Sequence, residues 1–321
     1  MRRREFLALA AALAGAPVSA HAQRLPLVAI VGIGDLSRFP LSVFVEGLRA
    51  AGYEPGKNVE LLPPAPTGRG YAALEPLAAT AVARRADVIF AWGDTAAHAA
   101  KAATRSIPIV MAINTDAVER GLVGNLARPD GNITGVAGRH QFLVAKRIEL
   151  LREIAPRIRR LGAIAAGSES QQLSLKLIQA TAAKLGIAVE SAQIGRPEEL
   201  DAALSALAAK RVDALTYTPA AVFAQRVPEI VRWAAERKVP VVYNEASWVR
   251  AGGLISYSPD FAAMLPRAAS YVARVLKGAK PSELPVEQAE KFELAINLKT
   301  AAALGIKVPY SLLVRADEAI L

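Results

Sequence analysis

The chain has 321 residues, 53% of them hydrophobic and 21% charged, with a formal net charge of +10 and no cysteine. That length allows one or two domains with large cores. The missing cysteine excludes disulfides, thiolate zinc sites and a cysteine nucleophile.

The amino-terminal MRRREFLALAAALAGAPVSAHAQ has a charged start, an apolar stretch from Phe6 to Ala16 and small residues around Ala20-His21-Ala22. This predicts an export signal over residues 1–22, cleaved after Ala22. The apolar stretch is too short for a permanent bilayer anchor. Arg3-Arg4-Glu5-Phe6-Leu7 resembles the twin-arginine export motif, the alternative being an ordinary secretory signal rich in arginine. No cysteine follows the cleavage site, so no lipid anchor is expected, and the mature protein is expected to be periplasmic and not membrane-anchored. Removing the signal's three arginines and one glutamate takes the charge from +10 to +8. The remaining Arg and Lys are spread along stretches such as KRIELLREIAPRIRR, which predicts solvated helix faces and no nucleic-acid partner.

Beyond residue 23 the β-rich runs are LPLVAIVG (25–32), NVELL (58–62), DVIFAW (87–92), IPIVMAI (107–113) and NITGVA (132–137). Helical stretches near 41–52, 70–85 and 95–105 separate the earlier ones. Runs that are apolar throughout fit strands covered on both faces, and their alternation with helices predicts a parallel, doubly wound sheet. A helix over 141–154 opens a second set of strands: 161–167, 187–193, 212–218, 239–244 and 252–258. Its helices lie near 171–185, 197–210 and 220–238, and another runs from Asp260 to about Lys277. One more helix, the strand KFELAIN (291–297) and a final helix opening at Asn297 complete the chain. The fold class is α/β, with two doubly wound parallel-sheet lobes.

Ligands of such sheets bind beyond the carboxyl ends of the strands, at helix N-termini. Gly32–Ser37, Trp92–Thr95, Asn114–Asp116, Gly167–Ser170, Thr218–Ala220, Asn244–Ser247 and Ser256–Asp260 occupy those positions. After signal removal only His98 and His140 remain, without metal-ligand spacing. There is no G-x-S-x-G elbow and no P-loop, and Gly32-Ile33-Gly34 lacks the third glycine of a dinucleotide fingerprint. Asp35, Asp94, Asp116, Glu245 and Asp260 are open to three roles: an acid/base pair, acceptors for a ligand ammonium, or caps of helices and turns. Trp92, Tyr217, Tyr243, Trp248 and Tyr257 stand at or just past strand ends, as core packing or as a wall that stacks on a ligand.

Four stretches, IPIVMAINTDAVERGLV (107–123), GLVGNLARPDGNITGV (121–136), AGGLISYSPDFAAMLPRAASYVARVLKGAKPSELP (251–285) and LPVEQAEKFELAINLKTAAALGIKVPYSLLVRADEAI (284–320), resemble hallmark segments of one family. It is the ABC-transporter substrate-binding proteins of the tryptophan/tyrosine-binding type, and the resemblance covers essentially the whole mature chain. It implies a type I periplasmic binding protein fold, two α/β lobes joined by crossovers and closing on a ligand. Lobe 1 is then 23–137 plus about 260–290, and lobe 2 is 138–259 plus about 291–321. It also implies a small solute, an amino acid or an aromatic or carboxylate compound, delivered to a membrane permease powered by a separate ATPase. Several cleft positions depart from the family pattern. Trp92-Gly93-Asp94-Thr95-Ala96 stands where relatives carry A-G-T-P-A, and Asn114-Thr115-Asp116-Ala117 keeps the aspartate of a D-P-V segment. Gly138-Arg139-His140-Gln141 and Gly167-Ser168-Glu169-Ser170 replace two further polar turns.

An amino-acid ligand needs donors for its carboxylate and acceptors for its ammonium. The Thr95 turn, aided by Ser168 or Ser170, is expected to take the carboxylate. Asp116 and Glu245 are candidate ammonium acceptors, and Trp92, Tyr217 and Tyr243 a candidate apolar wall. Asp94, Asn114 and Tyr257 complete the expected ligand-binding set. No catalytic residue, metal or cofactor is expected. The competing functions are a ligand-sensing module for a membrane receptor and an exported enzyme on the same fold.

Overall fold

The apolar runs at 27–31, 88–92, 109–112 and 133–137 become strands sheltered on both faces. The computed structural model describes residues 24–37, 41–66, 71–113, 115–138, 140–166, 169–218, 223 and 226–321. The predicted export signal, Asn114 and Ser168 lie outside the described residues, as does the side chain of Ser170.

In chain order the first part holds β1 (Leu27–Val31), α1 (Leu41–Ala50), β2 (Glu60–Leu62), α2 (Leu74–Ala83), β3 (Val88–Trp92), α3 (Asp94–Ala103), β4 (Ile109–Ala112) and β5 (Ile133–Ala137). The second holds α4 (His140–Ile154), β6 (Arg160–Ala166), α5 (Glu169–Lys184), β7 (Ala188–Ile194), α6 (Leu200–Ala209), β8 (Ala214–Tyr217), α7 (Val227–Arg237), β9 (Val242–Tyr243), α8 (Ala246–Arg250) and β10 (Ile255–Pro259). α9 (Phe261–Leu276), β11 (Glu287–Gln288), β12 (Phe292–Asn297), α10 (Leu298–Ala303), α11 (Tyr310–Arg315) and β13 (Glu318–Ile320) follow.

One sheet runs β2-β1-β3-β4-β5-β11, parallel at every pairing. α2 and α3 cover one face, and α1 and α9 the other. The α1–α9 contact is close because position 47 is glycine: a Cβ there would stand 2.8 Å from the Ala269 Cβ and 3.0 Å from the Pro266 Cα. α9 begins at an Asp260 cap, whose Oδ1 accepts the Ala263 amide at 3.1 Å.

The other sheet joins β7-β6-β8 to β9-β10-β12-β13 through a bridge between Leu215 and Val241. α4 and α5 cover one face, α6 and α7 the other. β12 pairs antiparallel with β10, a departure from the all-parallel expectation. The chain leaves this sheet at the end of β10 and returns as β12 opposite the same point, Phe292 pairing with Pro259, so the returning strand must run backwards.

Among the described residues the sheets are linked by β5 to α4, β10 to α9, and β11 to β12. The second and third connections are tied where they meet, the Asp260 amide donating to the Lys291 carbonyl at 3.0 Å. The predicted helix before KFELAIN is only a turn at Pro281–Glu283, and the final helix is two short ones. Pro281 starts that turn without carrying it into a helix, and Gly305 at φ 70° ends the Asn297-capped segment. The two-residue β11 and three-residue β13 are too short to show a period of their own.

Candidate ligand site at the strand ends

The Trp92-Gly93-Asp94-Thr95 turn is strand end, hinge and helix start in four residues. Gly93 takes φ 93° and so lets α3 begin at once after β3. Trp92 ends β3 partly buried, its ring 5.3 Å from that of Phe261 and nearly perpendicular at 79°. Asp94 is not the cap but the first helical residue. The Thr115 hydroxyl donates to its Oδ1, and the Arg120 Nε stands 3.8 Å from that oxygen. Burial raises the Asp94 carboxyl above its ordinary value, while Thr115, Arg120 and His98 pull it back. Burial and then Arg120 lower His98. Thr95 is exposed beside this cluster. A carboxylate of the protein itself thus fills the positive helix start, which weakens the Thr95 turn as the seat of a ligand carboxylate.

Asp116 forms a turn, with Oδ1 accepting the Val118 and Glu119 amides at 2.8 and 3.1 Å. Its Oδ2 accepts from Gln288 Nε2 at 3.3 Å, tying the turn to β11. Gly32 and Gly34 belong to packing rather than to a nucleotide: Gly32 lies against Trp92, and Gly34 donates its amide to the Ala65 carbonyl at 3.0 Å.

In the second sheet the aromatics go inward. Tyr217 is 3% exposed and Tyr243 1%, in one core cluster with Phe223 and Trp233. Tyr243 cannot form an open wall, because its ring is pressed against Gly253, 2.6 Å from where a Cβ would sit. Tyr257 is the third residue of β10, short of the strand end, and stacks on Phe292 at 5.7 Å. Strand alternation turns these rings into the layers above and below the sheet. Tyr217 nonetheless leaves a polar demand: among the described residues its buried hydroxyl makes no well-formed hydrogen bond, with the Asn244 backbone near enough to lower the phenol. Burial, Tyr243 and Glu245 together hold that phenol well above its usual range.

Two residues that follow β9 act on Tyr217, Asn244 by hydrogen bonding and Glu245 by its charge. Asn244 is 8% exposed, donating Nδ2 to the Tyr217 carbonyl at 3.3 Å while its Oδ1 stays unbonded. Glu245 precedes α8; its carboxylate caps no amide of that helix and, among the described residues, accepts only the Ser247 hydroxyl, at 3.3 Å. Burial raises its carboxyl, against Ser247 and Arg147.

Arg147, from α4, was not among the expected residues. It is 4% exposed, and its Nε donates to the Tyr257 carbonyl at 2.7 Å and its Nη2 to the Asn244 carbonyl at 3.3 Å. Burial pushes its guanidinium down to about 10, opposed by the nearness of Tyr217 and Glu245. Among the described residues no carboxylate pairs with it. The periodicity carried the signal: Arg147 falls on the buried stripe of Val144, Ile148 and Leu151, where an arginine needs a reason.

A separate cavity of about 330 Å3 lies by the second and third connections, lined by Arg250, Asp260, Ala262, Phe292, Glu293 and Asp317. No group of three or more His, Asp or Glu among the described residues is placed to hold a metal. No described helix is long and apolar enough to cross a membrane.

The sequence model of the ABC transporter substrate binding protein family matches residues 40–320. The chain belongs to that family. This ABC transporter substrate binding protein is 28% identical over 283 residues to the tyrosine-binding protein of Clostridioides difficile (strain R20291), covering 86% of this chain and 81% of the relative. It superposes on a conserved domain protein from Vibrio cholerae with a TM-score of 0.83 at 30% identity, over 92% of this chain and all (100%) of the other. An ABC domain from Streptococcus pneumonia in complex with L-Trp matches with a TM-score of 0.82 at 25% identity, over 92% of this chain and 100% of that one. The fold is the two-lobe α/β arrangement of these binding proteins.

Proposed function

We propose that this substrate binding protein captures an amino acid, an aromatic one by preference, between its lobes and delivers it to an ABC permease driven by a separate ATPase. Capture by cleft closure needs no chemistry on the ligand; it needs polar groups that are incomplete until the ligand arrives. The observation that carries the reading is a pair of buried atoms at adjacent strand ends with no well-formed hydrogen bond among the described residues, the Asn244 Oδ1 and the Tyr217 hydroxyl. A buried polar group without a partner costs about 1–3 kcal/mol, and a ligand that supplies the partner recovers it. The tyrosine-binding and L-Trp-bound relatives support the same ligand class. The lobes we assign are 23–137 with about 260–290, and 138–259 with about 291–321. Trp92, Asp94, Thr95, Asn114 and Asp116 then lie on the first side, and Ser168, Ser170, Tyr217, Tyr243, Glu245 and Tyr257 on the second. Residues 1–22 act as the export signal that delivers the chain to the periplasm.

A thermal-shift screen of the mature protein against the twenty amino acids and simple aromatic acids tests this. A ligand at about 100 times its Kd stabilises by about 2.7 kcal/mol. A flat profile across all the amino acids overturns the amino-acid reading.

A further inference from the structure

Arg147 and Glu245 present an unusual pairing: opposite charges beside the carboxyl end of β9, the arginine buried and the glutamate half-buried, yet not bonded to each other. The guanidinium spends two of its N–H groups on the Tyr257 and Asn244 carbonyls, which orient it without neutralising it. The carboxylate has one weak hydroxyl donor, Ser247. Joined to the guanidinium through the Asn244 backbone are, among the described residues, an acceptor without a donor, Asn244 Oδ1, and a buried Tyr217 hydroxyl without a well-formed hydrogen bond. Buried charges are retained in proteins when something pairs with them. Here the missing partners are one anion and one cation, at the ends of neighbouring strands.

We infer that this cluster is the seat of a zwitterionic α-amino-acid headgroup, the ligand carboxylate on the Arg147 guanidinium and the ligand ammonium on Glu245 and Asn244 Oδ1. The inference rests on the amino-acid reading above and adds to it the residues and the lobe that recognise the headgroup. A zwitterion satisfies both charges with adjacent atoms, whereas a sugar, a simple amine or a simple carboxylic acid leaves at least one buried charge unpaired. It also explains the Asp94 carboxylate at the start of α3: with the ligand's anion held on the other lobe, that helix start is free to keep an anion of its own. Arg147 selects for the carboxylate and Glu245 for the amine, so discrimination comes from the charge that a wrong ligand leaves unmatched.

The test is titration calorimetry of the mature protein with L-tryptophan, L-tyrosine, tryptamine and indole-3-propionate. The wild type is expected to bind at least one of the two amino acids. Tryptamine, lacking the carboxylate, and indole-3-propionate, lacking the amine, are each expected to bind at least about 10-fold to 100-fold more weakly than L-tryptophan. Glu245→Gln keeps the shape and is expected to weaken the amino acid by about the same factor while leaving indole-3-propionate unchanged. Arg147→Lys, checked for folding by circular dichroism, is expected to weaken both carboxylates and to leave tryptamine unchanged. Equal affinity of wild type and Glu245→Gln for the amino acid overturns the headgroup site, as does tight binding of either truncated ligand. Failure of the wild type to bind either amino acid, or any other amino acid, overturns the ligand class itself and the headgroup site with it.

Discussion

Removing a single oxygen atom should make the ligand-free protein more stable. The Tyr217 ring packs 5.1 Å from Phe223 and 6.2 Å from Tyr243, and Tyr217→Phe keeps those contacts. What it removes is a buried hydroxyl that makes no well-formed hydrogen bond among the described residues. Leaving such a group unsatisfied costs about 1–3 kcal/mol, and deleting it recovers most of that. At about 2–4 °C per kcal/mol for chains of some 150–250 residues, the melting temperature should rise by roughly 2–12 °C. The assay is calorimetric melting of the mature wild type and variant, first without ligand and then at saturation. With ligand bound, the advantage should shrink or reverse, because the wild-type hydroxyl then has a partner that phenylalanine cannot supply. A ligand-free variant destabilised by about 1 kcal/mol, as for an ordinary buried hydrogen bond, would refute the argument.

Acidification should act on the same site. The Glu245 carboxyl is raised by burial, so its ionised form carries a cost above that raised value. As pH falls through it, the group protonates and the cost is relieved, so its contribution to ligand-free stability increases downward until the unfolded chain's value near 4.5 is reached. Asp94, also raised by burial, contributes in the same direction. The difference between wild type and Glu245→Gln across pH melts therefore isolates residue 245, and amino-acid affinity should fall over the same window only in the wild type. In the first sheet, Gly47→Ala places a Cβ against Ala269 and Pro266 and should cost about 1–3 kcal/mol in denaturant melts, with ligand affinity unchanged. Asp260→Ala removes the cap of α9 and should cost about 1 kcal/mol, measured the same way. Arg250→Ala breaks exposed pairs to Glu293 and Glu318 and should cost no more than about 1 kcal/mol, less in high salt.

The alternation of apolar runs and helices was legible residue by residue, since a strand covered on both faces needs continuous hydrophobicity and DVIFAW or IPIVMAI admits no other use. The two sets of strands followed from the same one-dimensional pattern, while the family came from the resemblance of contiguous segments. Caps were legible too: Asn297 accepts the Thr300 amide at 2.9 Å and Asp260 the Ala263 amide, because such bonds span three residues. What the sequence did not show was direction. Trp92, Tyr217 and Tyr243 look alike as aromatics at strand ends. Trp92 stays partly exposed, while Gly253 and Phe223 draw the two tyrosines into the core, contacts set by segments far apart in the chain.

Charge was harder still to place. Asp94 and Glu245 were equivalent as acidic residues after strands. Thr115 and Arg120, brought from beyond β4, engage Asp94, while among the described residues Glu245 meets only Ser247 and the charge of Arg147. Arg147 itself sits 97 and 110 residues from the carbonyls it binds. The sequence alone determined most of the longer strands and helices, the fold class and the family, because those depend on local periodicity and on contiguous motifs. Only the tertiary structure decided which polar groups are paired and which are left waiting, because a hydrogen bond is settled by ångströms between segments that the chain order keeps apart.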